Sequence, residues 1–437
     1  MSAQTKQGRD IRNFDKNWRF IKQDATGADN PAFDDSQWRK LDVPHDWSIE
    51  GPYDQNNPTG SGGGYLPAGT GWYRKSFTMD AADAKRKVSI EFDGVMSNSE
   101  VWINGFYLGK RPYGYVSFAY DLTGHLNFGG KPNIIAVRVD NSAQPASRFY
   151  TGSGIYRHVH LISTGNTHFD EWGVYIKPLQ VTAQKATIHI EAKVDNESAA
   201  GGTYTLQTTI VDPAGKTVKT FASKRTIDAG QTAVYTQDIP VTRPQLWDLQ
   251  HPRLYKAVTK LVAGKTVTDN VTTPVGIRDA HFEAATGFWL NGKNIKLLGV
   301  CLHHDGGPVG AAVPLRVWER RFEKLKEIGA NAIRTSHNEV APEFLDLCDR
   351  MGMLVMDETF DSWETAKPPA IKGYNLYFKE WWAKDTRDQV MRDRNHPSVM
   401  IWSVGNEIHD NLRDSSGFRK YNQQQHLIHQ HDPGRPV

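Results

Sequence analysis

Val399-Met-Ile-Trp-Ser-Val-Gly-Asn-Glu407 begins as an apolar run of strand length and ends abruptly in a glycine, an amide and an acid. A short apolar run of this kind is the profile of a parallel strand buried on both faces. The acid then stands at the strand's C-terminal end, which in a parallel barrel is the end that carries chemistry. Thirty residues follow Glu407. An enzyme using it with a second carboxylate is expected to need more chain than that.

The same rhythm extends upstream to about Val275. Asn294–Val300, Asn331–Arg334 and Leu354–Glu358 read as strands. Helical spacing runs from Pro314 to Gly329, from Pro342 to Gly352 and, as a long amphipathic helix, from Tyr377 to Asn395. Residues 417–431 suggest a fourth helix. Proline at the start and glycine at the end punctuate the first two. Four βα units in series imply a parallel sheet with right-handed crossovers, about half of a TIM barrel.

The polar residues of this region gather at strand ends. The first strand leads to His303, His304 and Asp305, and the second to Arg334, Ser336, His337 and Asn338. The third leads to Asp357, Glu358, Asp361 and Trp363, and the fourth to Asn406 and Glu407. A barrel brings such ends to one mouth, so these residues are expected to surround one pocket. Carbohydrate chemistry needs this mixture: donors and acceptors for hydroxyls, carboxylates for an oxocarbenium-like transition state, and a proton for the leaving oxygen. Glu407 is the candidate proton donor, which requires burial and a neighbouring carboxylate to lift its pKa toward roughly 6–7. Asn406 suits a hydroxyl next to the reacting carbon. Glu358 serves either the chemistry or the anchoring of Arg334. His303 and His304 are adjacent and point to opposite faces of a strand, which argues against a histidine metal site. Cys301 has no activating context, and a Gly-x-Ser-x-Gly elbow is absent.

The first 276 residues read differently. Residues 1–10 are expected to be a tail. Residues 11–165 carry short strands such as 87–93, 100–104 and 133–140 between Asn-Gly, Gly-Gly and Lys-Pro turns, which suggests a jelly roll. Residues 166–276 hold period-two strands over about 110 residues, the size of one immunoglobulin-like β-sandwich. The cluster Thr59-Gly-Ser-Gly-Gly-Gly64 precedes a strand rather than a helix and lacks a Gly-Lys-Ser/Thr, so it reads as a flexible surface loop and not a phosphate cradle.

Composition narrows the function. A net charge of +3 with no basic block argues against nucleic acid, and no run approaches a membrane span. Two distant cysteines, Cys301 and Cys348, suggest neither a disulfide framework nor a zinc site. The first six residues lack an apolar leader. Thirteen tryptophans would suit stacking on sugars, though Trp-rich β-cores explain them as well.

These motifs together resemble glycoside hydrolase family 2, which contains β-galactosidases, β-glucuronidases and β-mannosidases. Val43-Pro-His-Asp-Trp47, Gly71-Trp-Tyr-Arg-Lys75, Val101-Trp-Ile-Asn-Gly105 and Gly152-Ser-Gly-Ile-Tyr-Arg157 look like its sugar-binding domain. Ile333-Arg-Thr-Ser-His337, Asp393-Arg-Asn-His-Pro397 and Trp402-Ser-Val-Gly-Asn-Glu407 look like its barrel signatures. The resemblance implies a jelly-roll sugar-binding domain (11–165), an immunoglobulin-like sandwich (166–276), the first half of a TIM barrel (277–437) and a retaining exo-β-glycosidase. It implies Glu407 as general acid/base, and Asn406, His337, His303 and Arg334 around the sugar. Asp361 and Trp363 are expected at the substrate too. The family's nucleophile is a glutamate farther downstream, so none is expected within this chain. Ser362 and Glu364 stand where members with a catalytic magnesium carry a Glu and a His, and ligands for magnesium or sodium are not matched; no cofactor is expected. The expected partner is a β-galactoside or related oligosaccharide, with β-glucuronides as the alternative, and a homo-oligomer remains open. A non-catalytic carbohydrate-binding product is the alternative of another class.

Overall fold

A computed structural model describes residues 7–412 and 414–437. The first six residues of the expected tail, and with them the reading of a missing leader, lie outside the described residues. Residues 8 and 9 do not form a tail: the Gly8 N–H donates to Val267 O at 2.8 Å, and Arg9 pairs with Asp269 at 2.8 Å, tying this part of the chain to the second domain.

The N-terminal domain is a jelly roll of two antiparallel sheets. One has six strands in the order 39–41, 18–21, 69–78, 132–141, 99–103 and 106–111. The other has four, in the order 10–13, 159–164, 87–92 and 118–121. Alternation dictates which side faces in: over Lys87–Phe92, Val88, Ile90 and Phe92 are fully buried while the residues between them are only partly covered. Trp18 and Tyr73 fill the space between the sheets.

The second domain is a sandwich of seven strands, three (167–179, 185–196, 232–242) against four (217–227, 202–211, 255–263, 266–275). Its inward positions, including Ile188, Ile190, Leu206 and Leu261, form a separate core. This is the immunoglobulin-like arrangement expected. In the connection between strands 232–242 and 255–263, Trp247 is fully buried and its indole donates to Asp349 O at 2.8 Å, which docks the sandwich on the third domain.

The third domain opens with a small antiparallel hairpin, Ala280–Glu283 with Gly287–Leu290, and a short third strand, Lys293–Asn294. The strand expected at Asn294–Val300 is thus split, and the barrel begins only at Gly299. Four parallel strands come next in sequence order: Gly299–Leu302, Ala332–Thr335, Leu354–Glu358 and Val399–Ser403. Their helices are α1 (Leu315–Glu327), α2 (Pro342–Met351), α3 (Phe378–Asp393) and α4 (Ser415–His431). Phe288 and Leu290 of the hairpin pack with Trp247, Ala332, Leu354 and Met400, residues near the strand starts. That closes the lower end and leaves the polar strand ends at the upper one. Ile333, Val355, Val399 and Trp402 face the helices, against Phe322, Phe344 and Val390. α2 stops at Gly352, whose φ of 67° suits glycine and where a Cβ would lie 2.5 Å from Leu249 O.

α3 departs from the amphipathic helix expected. Its buried side is mostly polar, with Asp385, Asp388, Gln389, Arg392 and Asp393 alongside Phe378 and Val390. The reason is its position, wedged between the barrel sheet and the jelly roll. Arg111 of the jelly roll, 2% exposed, pairs with Asp385 at 2.6 Å and Asp388 at 2.7 Å. Arg392 pairs with Glu339 at 2.6 Å and donates to Ser117 Oγ at 2.9 Å. Arg157 donates to Glu339 O at 2.8 Å. Each of these buried charges has a partner, which such burial requires.

The buried charges can be tested through stability. Arg392→Met strands Glu339 and Asp393 without their cation and is expected to cost roughly 3–5 kcal/mol in urea unfolding. His396 lies 2.6 Å from Asp349, and although burial opposes its charge, that carboxylate outweighs it and raises the imidazole pKa to about 9. A raised histidine contributes stability that is complete below its unfolded value of about 6.5 and disappears as pH climbs through about 9. Unfolding free energies of the wild type should fall across that window more steeply than those of His396→Gln; parallel curves would refute the pairing.

Candidate active site

At the upper end of the barrel strands, Glu358 is the organising side chain. It is fully buried, and its Oε1 lies 2.7 Å from His337 Nδ1. Its Oε2 accepts from Arg334 Nε at 2.8 Å and from Ser403 Oγ at 2.7 Å. Strand geometry explains the meeting: Arg334 pairs in register with Met356, and Glu358 with Ser403, so the three side chains leave the same face of neighbouring strands. The anchoring role that the sequence allowed for Glu358 is the one its geometry displays.

Arg334 continues outward, its Nη2 donating to Asn406 Oδ1 at 3.1 Å. Asn406, 5% exposed, donates through Nδ2 to Asp361 Oδ1 at 2.9 Å. Lys367, 1% exposed, donates to the same Oδ1 at 3.0 Å and to the Asn406 carbonyl. Burial works against the Asp361 charge, but Asn406, Lys367 and Arg148 overcome it and hold its pKa below the usual carboxylate range. His303 stands edge-on to His337, ring centroids 5.4 Å apart. Burial, with neighbouring His337, pulls the His303 pKa down, which favours a neutral ring. His303 Nδ1 is buried without a protein partner, a group a ligand hydroxyl would satisfy. His304 turns the other way, into the core beside Tyr115, its Nε2 3.1 Å from Thr151 O.

Glu407 comes directly after Asn406. Its φ of 41° is left-handed, and its side chain is 69% exposed. The burial expected for it is therefore not found among the described residues. Instead it faces Arg148, whose Nη1 and Nη2 reach Glu407 Oε2 at 3.3 and 3.2 Å. Arg148 comes from the jelly roll, 259 residues upstream. Phe149 beside it packs 4.5 Å from the His303 ring. A cleft at this junction is lined by Tyr113, Tyr115, Phe149, His337, Asp361 and Tyr374, among others.

Of the seven residues assigned to the substrate or its chemistry, six thus meet at one mouth: Glu407, Asn406, His337, His303, Arg334 and Asp361. Trp363 does not. It is 1% exposed, stacked near Phe378, and its indole donates to Val404 O at 2.8 Å. Its large apolar ring is better served beneath the strand end than in the pocket, where it supports the turn carrying Asn406. Sequence reading missed Arg148, Lys367 and Ser403. Lys367 had a signal, lying on the loop just past the third strand. Arg148 had none, because only domain docking brings it here.

The positions that would serve a catalytic magnesium do not fit one. Of Ser362 and Glu364, the glutamate pairs with Lys420 at 3.1 Å, and the serine offers neither a carboxylate nor an imidazole. Among the described residues, the one cluster with metal-ligand spacing is Asp346, Asp349 and His396. It lies at the opposite end of the strands, with Asp349 already engaged by His396 and the Ser398 N–H.

Comparison with known proteins agrees with this architecture. Residues 11–165 match the model of the glycosyl hydrolases family 2 sugar binding domain, 167–278 that of glycosyl hydrolases family 2, and 284–437 that of its TIM barrel domain. The chain is 49% identical over 407 residues to the β-galactosidase BoGH2A of Bacteroides ovatus, covering 93% of this chain and 48% of that protein. It is 44% identical to a putative β-glucuronidase of Formosa agariphila, covering 92% of this chain and 38% of the relative. A crystal structure of a family 2 member from Bacteroides cellulosilyticus superposes with a TM-score of 0.95 at 39% identity, over 98% of this chain and 55% of that one. The chain spans about half the length of the relatives it matches. With three successive family models matched from residue 11 to residue 437, the chain belongs to glycoside hydrolase family 2.

Proposed function

We propose that this chain supplies the sugar-binding domain and the acid/base half of a retaining exo-β-glycosidase that releases terminal β-D-galactose. The observation that carries the reading is the chain of contacts from Glu358 through Arg334 to Asn406, with Glu407 next in sequence at the barrel mouth. In this reading Glu407 protonates the leaving oxygen and then, ionised, activates water; its side chain is 69% exposed here, and the burial that the role requires is supplied by the bound sugar. Asn406 presents its remaining amide hydrogen and lone pair to the hydroxyl beside the reacting carbon. Asp361 takes all three of its donors on Oδ1, which leaves Oδ2 to accept from a sugar hydroxyl. His303 and His337 line the same wall.

A retaining mechanism needs a second carboxyl about 5–5.5 Å from the first. Glu358 is fully buried with both oxygens engaged by Arg334, His337 and Ser403, and Asp361 is given to a sugar hydroxyl in this reading, so the nucleophile's role falls to neither. The nucleophile in this proposal comes from none of the described residues. The choice of galactose rests on the relative named a β-galactosidase at 49% identity; a second reading, β-glucuronide cleavage, is favoured by the one named a putative β-glucuronidase at 44%.

A panel of nitrophenyl glycosides on the full-length protein separates the two. Release from the β-galactoside is expected, and cleavage of the glucuronide alone would overturn the choice of sugar. Glu407→Gln is expected to lower kcat about 10²–10⁴-fold on substrates with poor leaving groups, with a smaller loss on nitrophenyl ones. Residues 1–437 purified alone are expected to show negligible turnover; robust activity abolished by Glu407→Gln would contradict an outside nucleophile.

A further inference from the structure

We infer that Arg148, presented by the sugar-binding domain, is the positioning residue for Glu407, and that the glycine cluster at 59–64 is the seat that lets it reach. This rests on the reading of Glu407 as the acid/base.

Glu407 needs such a residue. It lies past the end of its strand, in a left-handed turn, with a mostly exposed side chain that lacks the packing that would choose one rotamer. Arg148 supplies the hydrogen bonds its carboxylate accepts, and both fall on Oε2, leaving Oε1 clear to exchange a proton. The same Nη2 donates to Asp361 Oδ1 at 3.2 Å, and that oxygen also holds Asn406. One guanidinium therefore sets residues 406 and 407 relative to each other. Its planar fork suits that double task better than a lysine would. Proton transfer demands hydrogen-bond reach to the leaving oxygen, and a 1 Å misplacement costs on the order of 10²-fold in rate.

The segment carrying Arg148 is braced from three sides. Asp46 accepts from Tyr150 Oη at 2.5 Å, from the Ser153 N–H at 2.9 Å and from the Ala311 N–H of the barrel at 2.8 Å. Phe149 and Thr151 rest on His303 and His304. The third brace is the glycine cluster, a surface loop as expected, which packs on the segment carrying Arg148. It closes on itself through Thr59 Oγ1 to Leu66 O at 2.7 Å and lies against the backbone of 147 and 148. A Cβ on Gly62 would stand 2.9 Å from Ser147 O and 3.1 Å from Arg148 Cα. Those neighbours are backbone and cannot rotate away, so a larger residue at 62 pushes its own loop and the 147–148 segment apart.

The test is a double-mutant cycle on the full-length protein, read with the nitrophenyl glycoside it cleaves and with a disaccharide of the same sugar. Arg148→Gln is expected to lower kcat about 10–100-fold on the disaccharide with little change in KM. Arg148→Lys, which keeps one charged donor, should recover part of that loss, and it keeps the test decisive where the glutamine variant fails to fold. Gly62→Val should reproduce Arg148→Gln without altering any charge. In a Glu407→Gln background, Arg148→Gln should add less than about 3-fold, because residues acting through one another are not additive. Full additivity, or a rise in KM with kcat unchanged, would overturn the inference and make Arg148 a substrate-binding residue. Unimpaired Glu407→Gln would instead remove the acid/base reading, whatever Arg148 does. An impaired Glu407→Gln beside a normal Arg148→Gln would defeat this inference alone.

Discussion

Glu358 is a carboxylate withdrawn completely from water, and the donors it needs are drawn from two neighbouring strand ends: Arg334 and His337 from the second, Ser403 from the fourth. An unpaired charge at that depth would cost several kcal/mol. Satisfying it fixes the relative heights of three adjacent strands at their upper ends. Arg334 pairs through Nη2 with Glu358 and donates from the same nitrogen to Asn406, and so the order imposed at Glu358 is passed to the residues that face the open mouth. The placement of Arg334, His337 and Asn406 at the mouth follows from this one buried charge and its partners.

The second dependence is between domains. A barrel sheet with one set of helices would not by itself define where a distant loop of the jelly roll lies. The buried pairs Arg111–Asp385 and Arg392–Glu339, with Arg157 on the Glu339 carbonyl, make the docking directional where apolar contact would allow sliding. They also explain why α3 carries so many charged residues on its inner side. The sugar-binding domain thus forms one wall of the site and contributes Arg148 and Phe149 to it.

Much of this was legible in residue order. Strands of period two, apolar parallel strands ending in polar residues, and helices bounded by proline and glycine are local patterns, and the three-part architecture is built from them. The pairing of Glu358 with Arg334 was legible because each stands at the end of a neighbouring parallel strand. Trp363 was misplaced because a tryptophan near a sugar site and a tryptophan supporting a turn look alike in a sequence. The surface loop at 59–64 was legible but its contact was not: glycines signal conformational freedom or close approach, and only the neighbour tells which.

By itself, the sequence determined the fold class, the family motifs and six of the residues that meet at the mouth, because periodicity and strand-end position are properties of short segments. The tertiary structure decided what those segments could not contain. It placed Arg148 against Glu407 across 259 residues and gave Gly62 a reason to lack a side chain. It turned α3 into a polar interface and left the Glu407 side chain exposed. Each of these depends on how separately folded units pack, and packing distance is not written in any local pattern.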